Sequence, residues 1–298
     1  MGVSLPVPDE AAPVSLATFA AAQILRVLPK EHITHFVGRL CEQPLPSFVS
    51  SAVSRIYSRA FCVDMSEAAA AHGSYRTFDA FFTRPLRSGA RTIEDSSIVS
   101  PSDGRLSAVG PIDEASRIFV KGQPYEVSEL LGNAKDARSY QGGRFAVVYL
   151  SPRDYHRVHC PVDGQVLNIR AIEGELYPVN SIGERHIPKL FVRNRRVVID
   201  IESQELGRVT LVMVGALVVG KISVNVLGSG DVPEGEHPVV PPMSVRRGDE
   251  LGAFHLGSTC VLLVQDPSAL NCREGRVTMG QALARLRGAT STQTGTSS

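Results

Sequence analysis

The fold follows most directly from Arg144-Phe-Ala-Val-Val-Tyr-Leu150 and its continuation, Ser151-Pro-Arg-Asp-Tyr-His156-Arg-Val-His159-Cys-Pro161. The first part is a short, continuously apolar run rich in β-branched residues, which is typical of a buried strand. The second part places two histidines directly after that strand. If 157–160 is extended, His159 points away from Val158 and Cys160 and faces a cleft. The segment therefore predicts a buried strand that leads into a cluster of titratable groups.

Further runs of the same kind lie on both sides of this stretch. They are bounded by Gly, Pro, Asp and Asn, and they span Val166 to Ile172, Arg196 to Ile201, Val209 to Val219 and Cys260 to Val264. Residues 226–250 are rich in Gly and Pro and are predicted to form loops. The apolar spacing from Met279 to Leu286 predicts one terminal helix.

The N-terminal part has a different pattern. Residues 16–69 show helical spacing of apolar residues, and Pro29, Pro44 and Pro46 divide them into short helices. Basic residues outnumber acidic ones there, which suits a helix lying on an anionic membrane surface. A helical subdomain that packs on its own core is an equally good interpretation. The uncharged run from Ala11 to Leu25 has 15 residues, too few for a membrane span.

These patterns predict an α+β fold in which a mainly β catalytic domain follows an N-terminal helical region. We place the helical, membrane-associating region at 1–75, the β-rich domain at 76–287 and a disordered, Ser/Thr/Gly-rich tail at 288–298. With 31 Lys+Arg against 30 Asp+Glu, no basic field favours nucleic acid. The five scattered cysteines contain no C-x-x-C pair, which argues against a disulfide framework or a structural zinc site.

Two further segments supply candidate catalytic groups. Ser258 follows Gly257 at the entrance of an apolar strand, and glycine there permits a backbone that leaves its carbonyl within reach of the serine hydroxyl. Asp103 lies in the turn sequence Ser100-Pro-Ser-Asp-Gly-Arg105 and can orient a histidine or cap the turn. With His159, these residues supply the nucleophile, orienter and base of a triad, if the fold brings them together.

Three alternatives compete with an attack of Ser258 on its own chain. The same triad in an ordinary serine hydrolase would act on an external ester or amide and leave the chain uncleaved, but no G-x-S-x-G elbow supports it. In a non-catalytic β-rich binding module, the same residues would be satisfied turn and core groups. A metal site at the H-x-x-H of His156 and His159 is disfavoured, because no third ligand lies at metalloenzyme spacing.

Seven blocks in one order resemble the phosphatidylserine decarboxylases of bacteria and mitochondria, from about Ser74 to Val264. The blocks are Ser74–Arg87 (SYRTFDAFFTRPLR), Pro101–Gly104, Tyr149–Pro161, Gly174–Asn180 (GELYPVN), Phe191–Arg196, Val214–Gly220 and Leu256–Thr259 (LGST). The resemblance implies an enzyme that decarboxylates phosphatidylserine to phosphatidylethanolamine and CO2.

The resemblance also implies that the cofactor is made from the chain itself. Ser258 would attack the Gly257 carbonyl with His159 as base and Asp103 holding the imidazole. Cleavage would give a β chain of 1–257 and an α chain of 258–298 headed by a pyruvoyl group. That group would form a Schiff base with the substrate amine, and His156 is the candidate acid that protonates the substrate carbon. No metal is expected.

Partners and location follow from the same resemblance. We expect a phospholipid substrate and an enzyme in which the α and β chains of one precursor stay together. We also expect peripheral attachment to the cytoplasmic side of a bacterial inner membrane. A homodimer is possible, and the sequence does not decide whether it forms. Residues 1–15 contain acidic residues and no arginine, which disfavours mitochondrial targeting. On the basis of charge alone, five arginines are candidate ligands of the lipid phosphate: Arg84, Arg87, Arg193, Arg195 and Arg196.

Overall fold

A computed structural model describes residues 37–179, 183, 186–216, 221–228, 230–255 and 257–284. The helices are α1 Ser47–Phe61, α2 Phe78–Phe82, α3 Val127–Leu131, α4 Ala134–Ala137 and α5 Leu190–Arg193. The strands are β1 Gly104–Pro111, β2 Arg117–Val120, β3 Gln123–Glu126, β4 Arg144–Leu150, β5 Arg157–His159, β6 Gly164–Ile172, β7 Arg196–Ser203, β8 Gly207–Val214, β9 Ile222–Val224, β10 Gly235–Val245, β11 Glu250–Phe254, β12 Ser258–Val264 and β13 Gly275–Val277. Residues 37–42 are also helical.

An eight-stranded antiparallel sheet dominates the architecture. Its strand order is β10-β6-β7-β8-β12-β4-β1-β13, and a second sheet has the order β5-β11-β9. The central strand β12 pairs with β8 on one side and β4 on the other, and all seven of its residues are buried. Burial on both faces explains why this strand is a continuous apolar run. The structure is thus mainly β with few helices, consistent with the predicted α+β class.

The predicted strands agree closely with the observed ones. Strand β4 has the predicted bounds, and β6, β7 and β12 each begin or end within two residues of the prediction. Strand β8 ends at Val214, before the predicted end at Val219, and residues 217–220 lie outside the described part.

The predicted loop over 226–250 is wrong in its second half, because β10 occupies Gly235–Val245. This strand lies at the edge of the sheet and pairs with β6 through a register shift between Pro238 and Met243. Proline has no N–H to donate, so it is tolerated on an edge strand and at a bulge. The Gly and Pro content therefore marked an irregular edge strand and not a loop.

The predicted terminal helix is also absent over 279–284, the portion of it that the structure describes. Residues 275–277 form β13, Gly280 has a φ of +84°, and Ala282 makes an isolated bridge to Val99. A left-handed residue interrupts a helix, so the apolar spacing here serves packing against the sheet. Residues 285–298, including the predicted tail, lie outside the described part.

The N-terminal region is described only from residue 37 onward, so most of the predicted membrane-associating segment is outside the structure. Helix α1 is its main described element, and the aromatic ring of Tyr57 packs against Phe78 and Phe81 of α2. Within the described residues, no helix combines the length and apolar character that a membrane crossing requires.

Candidate active site

One end of the large sheet gathers the predicted site residues. Strand β4 lies between β12 and β1, with Ser258 paired to Leu150 and Arg105 to Tyr149. Asp103 directly precedes β1, so Asp103 and Ser258 flank the end of β4 from either side. Neighbouring strands are about 4.8 Å apart, which puts the backbones of β1 and β12 roughly 10 Å from one another.

His159 reaches the same end from the other sheet. The chain leaves β4 at Leu150, turns through 151–154 and enters β5, where the His159 N–H donates to the Pro101 carbonyl at 2.8 Å. This bond ties β5 to the turn that carries Asp103. Val158 is fully buried and His159 is 7% exposed, so both side chains are buried and the orientation of His159 toward a cleft stays a prediction. The fold therefore brings Asp103, His159 and Ser258 to one region.

The hydrogen bonds of His159 differ from those of a simple triad. Its Nδ1 lies 2.7 Å from the Gly248 carbonyl and its Nε2 lies 3.0 Å from the Tyr155 hydroxyl. A carbonyl only accepts, so Nδ1 carries the proton and Nε2 accepts from Tyr155. Burial raises the pKa of Tyr155, which keeps that hydroxyl protonated. In this structure neither ring nitrogen bonds to Asp103 or Ser258.

Asp103 is held by a different partner, Arg91. The Arg91 Nε donates to the Asp103 carboxylate at 3.0 Å, its Nη2 makes a second bond there, and Glu67 binds the other side of the guanidinium. The Met279 N–H also donates to Asp103, at 2.8 Å. These bonds fix the position of the Asp103 carboxylate near His159, although no hydrogen bond joins the carboxylate to the imidazole. Sequence reasoning missed both residues: Arg91 lies in no pattern that singles it out, and Tyr155 lies in the histidine segment, where only the two imidazoles were considered.

Ser258 carries a buried hydroxyl with no hydrogen-bond partner among the described residues. The residue is fully buried, and the Oγ1 of Thr259 beside it is also unpartnered. Gly257, directly before it, has a φ of +38°, in the left-handed region that favours glycine. An unsatisfied buried hydroxyl costs about 1–3 kcal/mol. The protein therefore keeps the Ser258 oxygen free at a strand entrance, where a reacting group is expected to be free.

His156 is fully buried and lies just before β5. Its Nδ1–H donates to the Asp154 carbonyl at 2.9 Å, its ring lies 4.0 Å from that of Phe82, and its Nε2 has no partner in the described chain. Burial, and to a lesser extent the nearby charge of Arg84, lower its pKa to about 3. His156 is thus a neutral imidazole with a free lone pair.

The two histidines contact different groups. The turn after β4 ends at Asp154, and the His156 carbonyl already accepts from the Phe254 N–H at 3.0 Å, as in strand pairing. Residues three apart along an extended segment point to opposite faces. No contact among the described residues joins His156 to Ser258, so a role for His156 in the same reaction stays a prediction.

The buried histidines predict that acid weakens the fold. The pKa of His156 is about 3 in the folded protein and near 6.5 ordinarily, so between these values the unfolded chain binds more protons. The free energy of unfolding then falls as pH drops from 6.5 toward 3, by at most about 1.4 kcal/mol per pH unit from this group. Burial lowers the pKa of His159 too, which acts in the same direction.

Urea unfolding of the Ser258→Ala chain at several pH values from 7 to 4 measures this slope. We expect His156→Gln in that background to flatten it, and an unchanged slope would contradict the assignment. His237→Gln, at a half-buried histidine on edge strand β10 that is bonded to the Pro233 carbonyl, is the control.

A family model described as phosphatidylserine decarboxylase matches residues 78–285, which includes α2, the whole large sheet and every predicted site residue. The chain belongs to the phosphatidylserine decarboxylase family. It is therefore an enzyme, a carboxy-lyase, and the resemblance given by the seven sequence blocks is confirmed. This membership leaves the uncleaved serine hydrolase and the non-catalytic binding module without support.

Individual relatives extend the similarity beyond the family model. The chain is 42% identical over 248 residues to the phosphatidylserine decarboxylase proenzyme of Acidovorax ebreus (strain TPSY), covering 80% of this chain and 86% of the relative. It is 38% identical over 278 residues to the proenzymes of Shewanella sp. (strain ANA-3) and Shewanella baltica (strain OS155), covering 88% of this chain and 94% of each relative. The name proenzyme, in each of these relatives, indicates a precursor that is processed.

Proposed function

We propose that this protein decarboxylates phosphatidylserine to phosphatidylethanolamine and CO2 with a pyruvoyl group that it makes from its own Ser258. The observation that carries the proposal is the free, fully buried Ser258 hydroxyl directly after a left-handed Gly257. Family membership supports the substrate, and the proenzyme relatives support a processed precursor.

The proposed self-cleavage uses only this chain and one water molecule. The Ser258 Oγ attacks the Gly257 carbonyl carbon and loses its proton, the peptide C–N bond breaks, and an ester with a free amine results. Loss of the Ser258 Cα proton then breaks the ester C–O bond and frees the Gly257 carboxylate. The dehydroalanine left at position 258 rearranges and is hydrolysed, which releases ammonia and leaves the pyruvoyl group.

His159 is the proposed base for these reaction steps. Arg91 holds the Asp103 carboxylate, so that its negative charge stays near His159. Its Nε2 is bonded to the Tyr155 hydroxyl. Before it can take the Ser258 proton, Nε2 must therefore leave Tyr155 or receive the proton through that hydroxyl. Tyr155 is an additional participant on this proposal.

The residues around position 258 fit the proposed group. Strand β12 is hydrogen-bonded on both edges and buried along its whole length. At about 25 cal/mol per Å² of apolar burial, this strand holds the 258–298 fragment in the sheet after cleavage. The group, once formed, supplies a ketone carbonyl that accepts the substrate amine and then the electron pair released with CO2. His156 Nε2 can take the proton that the substrate ammonium loses and return it to the substrate carbon.

Intact mass spectrometry of the denatured wild-type protein tests the proposal. We expect two fragments, one of which covers 258–298, that is 298 − 257 = 41 residues, and is lighter by one ammonia than a serine-ended peptide. Phosphatidylserine decarboxylation by the same preparation tests the substrate. A single full-length chain that is nevertheless active would reject the pyruvoyl mechanism and leave the family assignment intact.

Arg84 is the proposed ligand of the substrate phosphate. It is 3% exposed, and its Nε has no partner among the described residues. Its Nη2 donates to the Arg153 carbonyl at 3.4 Å, and its guanidinium lies 5.7 Å from the centre of the Phe81 ring. It follows α2, whose Phe82 contacts His156, so the charge lies beside the proposed site. A buried guanidinium is costly to desolvate, and an anionic substrate group would offset that cost.

The four other arginines nominated by charge have partners. Arg87 donates to the Ser66 carbonyl, Arg193 pairs with Glu175, Arg195 with Glu173 and Asp231, and Arg196 donates to the Leu130, Val192 and Glu129 carbonyls. We assign Arg84 to the phosphate and not to the carboxylate, because a cation that stabilised the departing carboxylate would oppose the loss of CO2.

Arg84→Gln should raise KM for phosphatidylserine about 10- to 100-fold with little change in kcat, because one charge-assisted contact contributes roughly 1.5–3 kcal/mol. Inhibition by glycerophosphoethanolamine, which has the phosphate but no carboxylate, should weaken equally. Arg84→Lys should restore part of the loss, and Arg87→Gln is the exposed control. A drop in kcat at unchanged KM would reject the phosphate role.

Helix α1 supports the proposed contact with a membrane surface. Its buried stripe consists of Ser50, Ser54 and Ser58, whereas Phe48 and Ile56 on the other side are 75% and 67% exposed. This is the reverse of the usual arrangement in a water-soluble protein. Exposed Arg55 and Arg59 lie on the same helix. Apolar side chains flanked by arginines suit the interface of an anionic bilayer, where the substrate resides.

Ile56→Asp should weaken binding to phosphatidylserine vesicles about 10-fold or more, since burial of an isoleucine contributes roughly 1.5–3 kcal/mol. Cosedimentation with vesicles measures this effect. Self-cleavage should be unchanged, because the side chain is exposed. Val240→Asp, at a residue that is 85% exposed on β10, should not alter binding. Equal loss in both variants would reject α1 as the contact surface.

The remaining parts of the proposal follow from the product. Phosphatidylethanolamine is a membrane lipid, so we assign the enzyme to phospholipid biosynthesis, as a peripheral protein on the cytoplasmic side of the inner membrane. The functional unit contains the α and β chains of one precursor, and whether two such units form a homodimer stays a prediction.

A further inference from the structure

A second Ser–His–Asp hydrogen-bond chain lies outside the residues used above. The His255 Nδ1 is 2.7 Å from an Asp79 carboxylate oxygen, and its Nε2 is 3.0 Å from the Ser223 hydroxyl. A carboxylate only accepts, so Nδ1–H donates to Asp79. The three residues belong to α2, β9 and the position directly after β11. The chain thus connects three elements that are far apart in sequence.

This network is unsuited to act as a second nucleophilic centre. Ser223 is 6% exposed. It lies on β9, which pairs with β11 so closely that a Cβ on Gly252 would come within 2.0 Å of the Ser223 carbonyl oxygen. An external ester could not reach the hydroxyl without opening this sheet. The network must therefore have a role other than nucleophilic attack on a substrate.

Its position suggests that role. His255 is separated by one residue from Gly257, whose carbonyl is the proposed target of Ser258. The backbone is anchored at the same place, because Phe254 N–H donates to the His156 carbonyl at 3.0 Å and His255 N–H donates to the Lys221 carbonyl at 3.2 Å. Three residues span at most about 11 Å of chain. A shift of the His255 side chain is therefore transmitted directly to the 257–258 peptide.

The other end of the network is also at the site. Asp79 lies on α2, the five-residue helix that carries Phe82, and Phe82 contacts the ring of His156. The Thr83 carbonyl that follows α2 accepts from Arg157 Nε of β5 at 2.8 Å. The network consequently joins the segment before the proposed scissile bond to the same framework that holds both site histidines.

We propose that Asp79, His255 and Ser223 position the Gly257–Ser258 peptide for self-cleavage. The inference rests on the proposed self-processing and adds residues to it. Cleavage breaks the covalent link between His255 and residue 258. The chain then no longer transmits the position of His255 to the group at position 258, so the network acts mainly in maturation.

Cell-free synthesis of the full chain with a pulse of labelled amino acid, followed by timed denaturation, measures the rate at which the 258–298 fragment appears. We expect His255→Phe and Asp79→Ala to slow this rate about 10- to 100-fold, since misplacement of a reacting group by about 1 Å costs on that order. Asp79→Asn keeps an acceptor oxygen and should restore much of the rate. His237→Gln is the control.

The second readout is turnover by the matured fraction. After prolonged incubation, the cleaved His255→Phe protein should have wild-type kcat and KM. Cleavage at the wild-type rate would overturn the inference. A parallel loss of cleavage rate, kcat and melting temperature would also overturn it, by showing a general structural role. If the wild-type chain itself gave no fragment, the proposed function would fail, and that result is recognisable from the wild-type lane alone.

Discussion

Ser258→Ala should yield one uncleaved chain with no measurable decarboxylation. Without the hydroxyl there is no nucleophile, no cleavage and no carbonyl group to accept the substrate amine. The loss should exceed about 10⁶-fold, because enzymes typically contribute at least that much and the cofactor carries the difficult step. Denaturing electrophoresis, intact mass and a phosphatidylserine assay on one preparation measure all three consequences.

The same variant should remain folded. The Ser258 Oγ is buried and has no partner among the residues that the structure describes, so alanine removes an unsatisfied group and leaves none of these residues unpaired. Its melting temperature should therefore be no lower than that of an uncleaved His159→Ala chain. Ser268→Ala, at an exposed serine bonded to Asp266, should cleave and react normally. Decarboxylation by intact Ser258→Ala would exclude position 258 as the source of the cofactor.

His156→Gln should lower turnover and leave self-cleavage unchanged, which is the opposite of the effect expected for His255→Phe. We expect normal cleavage at 257–258, because His156 makes no contact with Ser258 in the structure, and a fall in kcat of about 10²- to 10⁴-fold, the usual contribution of general acid–base catalysis. The free Nε2 beside Phe82 is the atom that moves the proton. Intact mass and steady-state kinetics on the matured protein measure the two effects.

His159→Gln is the matched comparison, because it should block cleavage. Should His156→Gln also give an uncleaved chain, the assignment of the two imidazoles would have to be exchanged. A urea titration of both variants checks that buried glutamine has not unfolded them. His237→Gln, on edge strand β10, again serves as the control.

The amino-acid sequence by itself determined the strands that form the middle of the sheet. Strands β4 and β12 are apolar runs because both of their faces are covered, and β6 and β7 are rich in β-branched residues; both patterns can be recognised in a short segment. The amino-acid sequence also determined the family, because seven sequence blocks occur in the order that the family has. Edge strand β10 and the segment after β13 were predicted wrongly, because prolines at an edge and apolar residues around a left-handed glycine look like a loop and a helix in isolation.

Only the tertiary structure decided which polar groups meet. Arg91 lies 12 residues before the carboxylate that it holds, and Asp79 lies 176 residues before His255. No local pattern marks such pairs, because a hydrogen bond depends on where the sheet brings two side chains and not on their spacing. The same reason applies to α1: its sequence suits a helix on a membrane surface or one that packs on its own core, and the tertiary contacts bury its serines and leave Phe48 and Ile56 exposed. Strand burial is a property of short segments, whereas the proposed chemistry depends on long-range contacts.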